Sequence, residues 1–255
     1  MARVAMTGSA SGIGAATRAR LETDGHEVLG IDVKDAEVVA DLSTREGRRL
    51  AIERTIDWCD GRLDRLVLCA GIGGHVGVGS KILGVNYFGA VEVLDGLLDA
   101  LRAGRDPRAV VVCSNSAQLA PVDEAPYVLA MLDGDEDRAG RLIDEIGSGP
   151  LAYMASKHAL GRAIRRRAVA WGEARVPLNG VAPGPVRTPL YEADRAAPGT
   201  GEAIRNLKVP MGPLAEPGVI AGLIAFLLGP EAGWIHGSIY YIDGGMDAAI
   251  RPDRF

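Results

Sequence analysis

The chain has 255 residues, 47% of them hydrophobic, with 28 basic against 33 acidic side chains and a net charge of −5. That size supports one large core, and the acidic balance excludes the basic footprint of a nucleic-acid binder. No apolar run reaches the roughly 18 residues of a membrane helix, and Cys59, Cys69 and Cys113 make no C-x-x-C pair, as expected of thiols in a reducing compartment.

The first residues enter an apolar strand at once, so no leader is expected and the cytoplasm is the predicted location. Short apolar runs predict strands at Ala2–Met6, Val28–Ile31, Glu37–Ala40, Leu66–Ala70, Val110–Cys113, Leu178–Ala182 and Ile239–Ile242. Longer segments predict helices at Gly12–Asp24, Thr44–Trp58, Lys81–Ala103, Ala152–Ala174 and Pro217–Leu228. The second helix opens on Ser43-Thr44-Arg45-Glu46, which reads as a capping box. The run Arg165-Arg166-Arg167 reads as a solvated helix face. Strands alternating with helices predict an α/β chain: a doubly wound parallel sheet with helices on both faces and right-handed crossovers. No repeat or linker divides it, so residues 1–255 are read as one domain.

One segment breaks the rhythm. Residues 121–149 hold eight acidic side chains against two basic ones. Val128, Met131, Leu132, Leu142 and Ile146 still fall at helical spacing, which predicts one or two added surface helices, an acidic insertion over 122–149.

The first strand runs into Thr7-Gly8-Ser9-Ala10-Ser11-Gly12-Ile13-Gly14 and then a helix. Glycines let the backbone turn sharply and approach a pyrophosphate, and the helix N-terminus offers it free N–H groups. Asp32 ends the second strand, eighteen residues beyond Gly14. An acidic residue there hydrogen-bonds the ribose hydroxyls of a dinucleotide, the Rossmann arrangement. It also repels a 2′-phosphate, and the loop carries no Arg or Lys to offset it, so NAD is expected over NADP. Lys34 is the one nearby cation.

Tyr153-Met-Ala-Ser-Lys157 lies on a predicted helix, where residues at i and i+4 share a face. An ammonium beside a phenol favours the phenolate and is expected to lower the tyrosine pKa. Such a tyrosine can exchange a proton with a carbonyl or alcohol oxygen. Tyr191 and Arg195 have the same spacing but sit in a Pro/Ala/Gly-rich stretch and are not read as a pair.

Taken in order, Thr7-Gly8-x-x-x-Gly12-x-Gly14, Asp41-Leu42, Cys69-Ala70-Gly71, Asn86, Ser114, Tyr153-x-x-x-Lys157 and Asn179-x-x-x-Pro183-Gly184 with Thr188 resemble the short-chain dehydrogenase/reductase family over nearly the whole chain. The resemblance implies an NAD(H)-dependent oxidoreductase for secondary alcohols and ketones. It implies that Tyr153 is the acid/base, that Lys157 tunes it and binds the nicotinamide ribose, and that Ser114 hydrogen-bonds the reacting oxygen. Asn86 would hold the water linking Lys157 to solvent. The implied cofactor set is Gly8, Ser9, Ser11, Gly12, Ile13, Gly14, Asp32, Asp41, Leu42, Ala70, Gly71, Tyr153, Lys157, Pro183, Gly184, Val186 and Thr188. Within it Asp41 meets the adenine amine, Gly71 lies against the adenosine ribose, and the turn from Pro183 to Thr188 covers the nicotinamide amide. Cys69 departs from the family, which has Asn there to brace the sheet.

The pattern from Gly30-Ile31-Asp32 to Asp41-Leu42-Ser43-Thr44, the ending Ile242-Asp243-Gly244-Gly245 and the long segment after Ser114 are similar to an NAD(H)-linked bacterial subgroup of hydroxysteroid dehydrogenase/carbonyl reductases. A non-steroid alcohol, a hydroxyacyl substrate and a non-catalytic NAD sensor are the alternatives; a sensor has no need of Ser114, Tyr153 and Lys157 together.

In such sheets a ligand lies beyond the carboxyl ends of the strands. The turn after Ser114, the Ile72–Gly79 loop and residues 185–211 are the candidates. The last holds Leu190, Tyr191, Leu207, Val209 and Met211 without regular period, which predicts a mobile lid over an apolar small molecule, an alcohol, ketone or steroid. His75 and His158 lack paired ligand spacing, and no metal is expected. In the family the helix before Ser114 and the helix of Tyr153 pair with their copies. The acidic helices would stand against that pairing, so a homodimer through Ile220–Leu228 and the last strand is expected instead of a tetramer.

Overall fold

Every predicted apolar run forms a strand, and all of them pair in parallel. The computed structural model describes residues 1–198, 200–212 and 214–254. Strand β1 (Arg3–Thr7) leads to helix α1 (Gly12–Thr23), β2 (Glu27–Asp32), β3 (Val38–Val39) and α2 (Arg45–Cys59). After β4 (Arg65–Leu68) come α3 (Gly79–Leu83), a π-turn (Gly84–Phe88), α4 (Gly89–Gly96), α5 (Leu98–Ala103) and β5 (Arg108–Val112). Helices α6 (Pro126–Leu132) and α7 (Glu136–Ile146) precede the long α8 (Gly149–Glu173) and β6 (Leu178–Pro183). The chain ends with α9 (Pro189–Ala196), α10 (Gly201–Arg205), α11 (Pro217–Leu228), β7 (Ile239–Ile242) and α12 (Met246–Ile250). No helix among the described residues is long and apolar enough to cross a membrane.

The sheet order is β3-β2-β1-β4-β5-β6-β7. Successive strand residues point to opposite faces, and β5 shows the consequence. Ala109 and Val111 join the core under α2, α4, α5 and α8, whereas Val110 and Val112 join Leu21, Ile220, Ile224 and Leu227 of α1 and α11 on the other face. Both faces are therefore covered, which is why the central strands read as unbroken apolar runs.

Two local expectations are corrected. The cap of α2 is Thr44, whose hydroxyl accepts from the Gly47 N–H at 3.0 Å, one residue later than the Ser43–Glu46 box. The single helix expected over Lys81–Ala103 is broken by the π-turn, where Asn86 turns its amide inward onto Ile72. A wide turn of this kind is common at functional sites.

The acidic insertion forms two helices and is part of the core. Val128, Met131, Ala139 and Ile143 are fully buried. Arg48 of α2, 1% exposed, grips Glu136 through two bonds of 2.9 and 2.6 Å and meets Glu92 at 2.9 Å. The pairing leaves no uncompensated buried charge and ties α7 to the sheet-covering helices. Of the basic run, Arg165 and Arg166 are exposed as expected, but Arg167 is partly buried against Asp95.

Candidate active site

The register pairs Thr7 with Leu68, Leu68 with Val111, Val112 with Val181 and Pro183 with Ile242. The residues following these strands consequently open onto one crevice, where the strand order reverses between β1 and β4. That switch point is where open α/β sheets bind ligands. A cleft of roughly 710 Å³ occupies it, within the range of small-molecule sites.

The glycine turn forms one wall. Gly8 and Gly12 have φ of 69° and 54°. A Cβ on Gly8 would lie 2.5 Å from the Ala70 nitrogen, and one on Gly14 would overlap the Gly8 carbonyl oxygen. The turn can therefore hug the ends of β1 and β4 only without side chains. Ser11, the N-cap of α1, makes no capping bond with its side chain, and Ser11, Gly12, Ile13 and Gly14 line the cleft. Uncapped amides at the start of a helix fit a pyrophosphate. Asp32 closes this end: its carboxylate accepts the Ala10 N–H at 3.0 Å and the Val33 N–H at 2.7 Å. Asp41 stands beside it, its carboxyl held below the ordinary range by hydrogen bonds from Ser43. A dinucleotide fits this wall.

Ser9, in the expected cofactor set, turns its side chain away from the cleft. It is buried and does not line the cleft; its hydroxyl is turned under the loop, 2.6 Å from where a Gly30 Cβ would stand. Asp41, Leu42, Ala70, Gly71, Pro183, Gly184, Val186 and Thr188 all line the cleft.

At the other end Ser114 caps the 3₁₀ turn Asn115–Gln118, and Tyr153 of α8 lines the same end of the cleft. The 38 residues between them, α6 and α7 included, loop out and return. Lys157 lies one turn further along α8, its Nζ donating to the Val112 carbonyl at 2.9 Å and standing 6.0 Å from the Tyr153 ring centre. Beneath them Asn86 is fully buried, donating to the Ile72 carbonyl at 3.0 Å and to Ser156 Oγ at 3.2 Å and accepting the Ile72 N–H at 2.8 Å. A Cβ on Gly71 would be 3.4 Å from Asn86 Oδ1 and 3.5 Å from Lys157 Nζ. Amide and ammonium thus flank the same glycine.

The expected lowering of the Tyr153 pKa is not seen; the shift runs the other way. Burial pushes the phenol above its ordinary range, the nearby Ser114 hydroxyl opposes it, and the Asp194 charge adds to it. Burial likewise pulls the Lys157 ammonium down. Desolvation is the largest cause for both groups.

The lid is more ordered than its sequence suggests. Thr188 Oγ1 accepts the Tyr191 N–H at 3.2 Å and Pro189 occupies the first helical position, so α9 starts there. Leu190, Tyr191 and Leu207 line the cleft as expected; Val209 and Met211 do not, and Met211 is exposed. Ile72, Leu119, Pro150, Met154 and Met246 complete an apolar wall. Asp194 fastens α9 to the facing loop, accepting from the His75 N–H and lying 2.8 Å from its Nδ1. His158 is bound to the Ala117 carbonyl at 3.0 Å.

Three comparisons bear on this geometry. A family model described as enoyl-(acyl carrier protein) reductase matches residues 143–247. The 3-alpha-hydroxysteroid dehydrogenase/carbonyl reductase of Comamonas testosteroni is 47% identical over 257 aligned residues, covering 100% of both chains. This chain belongs to the short-chain dehydrogenase/reductase family. The crystal structure of the 3-alpha-hydroxysteroid dehydrogenase from Pseudomonas sp. B-0831 complexed with NADH superposes with a TM-score of 0.98 at 48% identity, covering 99% of this chain and 100% of that one. The coniferyl-alcohol dehydrogenase of another Pseudomonas strain is 28% identical over 96% of each chain.

This short-chain dehydrogenase/reductase is accordingly an oxidoreductase with a Rossmann-like fold. Its unusual Cys69 leaves no gap in the bracing of the sheet. Thr7 Oγ1 accepts the N–H groups of Cys69 and Ala70, each at 3.2 Å, and joins the ends of β1 and β4. Burial pushes the Cys69 thiol up to about 12, so it stays protonated.

Proposed function

We propose that this short-chain dehydrogenase/reductase transfers hydride between NAD(H) and the carbinol or carbonyl carbon of a secondary alcohol or ketone, with 3α-hydroxysteroids, the matching ketosteroids and other apolar alcohols and ketones as its substrates. One observation carries the reading: the Ser114–Tyr153 hydroxyl pair sits in an apolar cleft continuous with the glycine turn and Asp32. The full-length relative acting on hydroxysteroids and the NADH-bound structure support the substrate class and the cofactor.

In ketone reduction Tyr153 gives its proton to the carbonyl oxygen as the carbonyl carbon receives hydride, and Ser114 donates a second hydrogen bond to that oxygen; in alcohol oxidation the Tyr153 phenolate takes the hydroxyl proton as the carbinol carbon gives up hydride. Lys157 resupplies the phenol, and Asn86 holds the water that links the ammonium to solvent past Gly71. When bound, NAD(H) supplies or accepts the hydride, and its oxidised form adds a positive charge beside the phenol. The turn from Pro183 to Thr188 covers the nicotinamide, and α9 and α10 keep water from the reacting carbon. Androsterone with NAD⁺ is expected to generate NADH with a kcat/KM at least about tenfold above that of β-hydroxyacyl thioesters or sugars. Activity confined to the thioesters or sugars would refute the substrate class.

The enzyme is further proposed to be a homodimer. The expectation for α11 is corrected in part: Ile220, Ile224 and Leu227 face its own core. The outer side still exposes Val219 and Phe226, and the nearby Trp234 is 99% exposed. The insertion packs on α3 and α8, the side the family uses for tetramers. Light scattering should give a dimer that Phe226→Lys with Trp234→Lys turns into a monomer. A stable tetramer at micromolar concentration would count against it.

A further inference from the structure

Ser114 Oγ carries one proton and two lone pairs. The Ser116 backbone N–H, which can only donate, takes one lone pair at 3.2 Å. The Ser116 hydroxyl stands 2.9 Å from the same oxygen. When it donates as well, both lone pairs of Ser114 are engaged and the Ser114 proton is left for the reacting oxygen.

We propose that Ser116 is a positioning residue for the reaction: its hydroxyl donates to Ser114 Oγ, so that Ser114 meets the substrate oxygen as a hydrogen-bond donor. The proposal rests on the role given to Ser114 above. A substrate oxygen gathers negative charge as hydride leaves for the carbonyl carbon, and only a donor stabilises it. Without Ser116 Oγ, Ser114 can turn and accept instead. A chain running Ser116 to Ser114 to oxygen also polarises in one direction, and each bond strengthens the next.

The surrounding turn is held from the far side. Asn115 Nδ2 lies 3.4 Å from Asp243, whose carboxylate accepts the Gly245 N–H at 3.0 Å and the Asp247 N–H at 2.7 Å. The Ser116 side chain therefore stands on a fixed backbone, one residue from a buried anchor, and lines the cleft. Preorganisation of this kind keeps a catalytic hydroxyl in its productive rotamer.

Ser116→Ala is expected to lower kcat for androsterone oxidation by NAD⁺ about tenfold, the loss of one hydrogen bond to a reacting group. NADH affinity, read by fluorescence titration, stays at the wild-type value. Ser116→Thr restores most of the rate. In a Ser114→Ala background the same Ser116→Ala change costs less than about twofold, because it acts only through Ser114. A loss of packing alone would cost the same in both backgrounds and would leave the pair additive. Unchanged kcat in Ser116→Ala, or equal cost in both backgrounds, overturns the proposal. Ser114→Ala alone reports on the underlying role: if that variant keeps full kcat, Ser114 is not used and Ser116 has nothing to position.

Discussion

Replacing Tyr153 by phenylalanine is expected to lower turnover about a thousandfold, the scale of a lost general acid/base. The ring and its contacts stay, so NADH should bind as it does to the wild-type enzyme. The residual rate should lose its dependence on the phenol. In the wild type, alcohol oxidation needs the phenolate and rises as pH passes through the phenol titration; ketone reduction needs the phenol and falls over the same range. Burial raises the phenol, so in the free enzyme that range lies on the alkaline side of an ordinary tyrosine. Saturating NAD⁺ should move it down and NADH should not. Near-normal kcat in Tyr153→Phe would remove the residue from the mechanism.

The second large effect is on cofactor choice. Asp32 ends β2 with its carboxylate fixed by two backbone N–H groups, and Val33 beside it is exposed. A 2′-phosphate placed there meets a like charge that cannot swing away, which costs several kcal/mol. Asp32→Ala with Val33→Arg removes the repulsion and adds a forked phosphate partner. The ratio of kcat/KM for NAD⁺ over NADP⁺ should fall about 10²- to 10³-fold, a change of about 3–4 kcal/mol at tenfold per 1.4 kcal/mol. A wild-type enzyme preferring NADP⁺ would assign the phosphate to Lys34, which also lines the cleft.

Much of this site is legible because its chemistry is local. The glycine turn, Asp32 and the Tyr153–Lys157 pair each occupy a few consecutive residues whose spacing states their purpose, and each lies where it was expected. What the sequence conceals is set by distant partners. Arg48 and Glu136 meet across 88 residues, so a segment that reads as an added surface unit is anchored in the core. Asn86 draws its helix into a π-turn to reach Ile72, and an apolar period cannot register one extra residue per turn. Ser9 belongs to the glycine motif by position, yet the tight turn points its hydroxyl away from the cleft. Thr44 takes the cap from Ser43 because Asp41 already binds the Ser43 N–H. The start of α9 was marked by Thr188-Pro189, but the absence of an apolar period hid the helix itself.

The central claim is hydride transfer between a carbinol carbon and the nicotinamide under the control of Tyr153. Androsterone deuterated at its carbinol carbon, turned over with NAD⁺ and analysed by mass spectrometry, tests it most directly. The account predicts one deuterium in the NADH formed by the wild-type enzyme, the matching ketone as the other product, and neither product above background with Tyr153→Phe. Deuterium released to water, or labelled NADH formed equally well by the Tyr153→Phe variant, would contradict it.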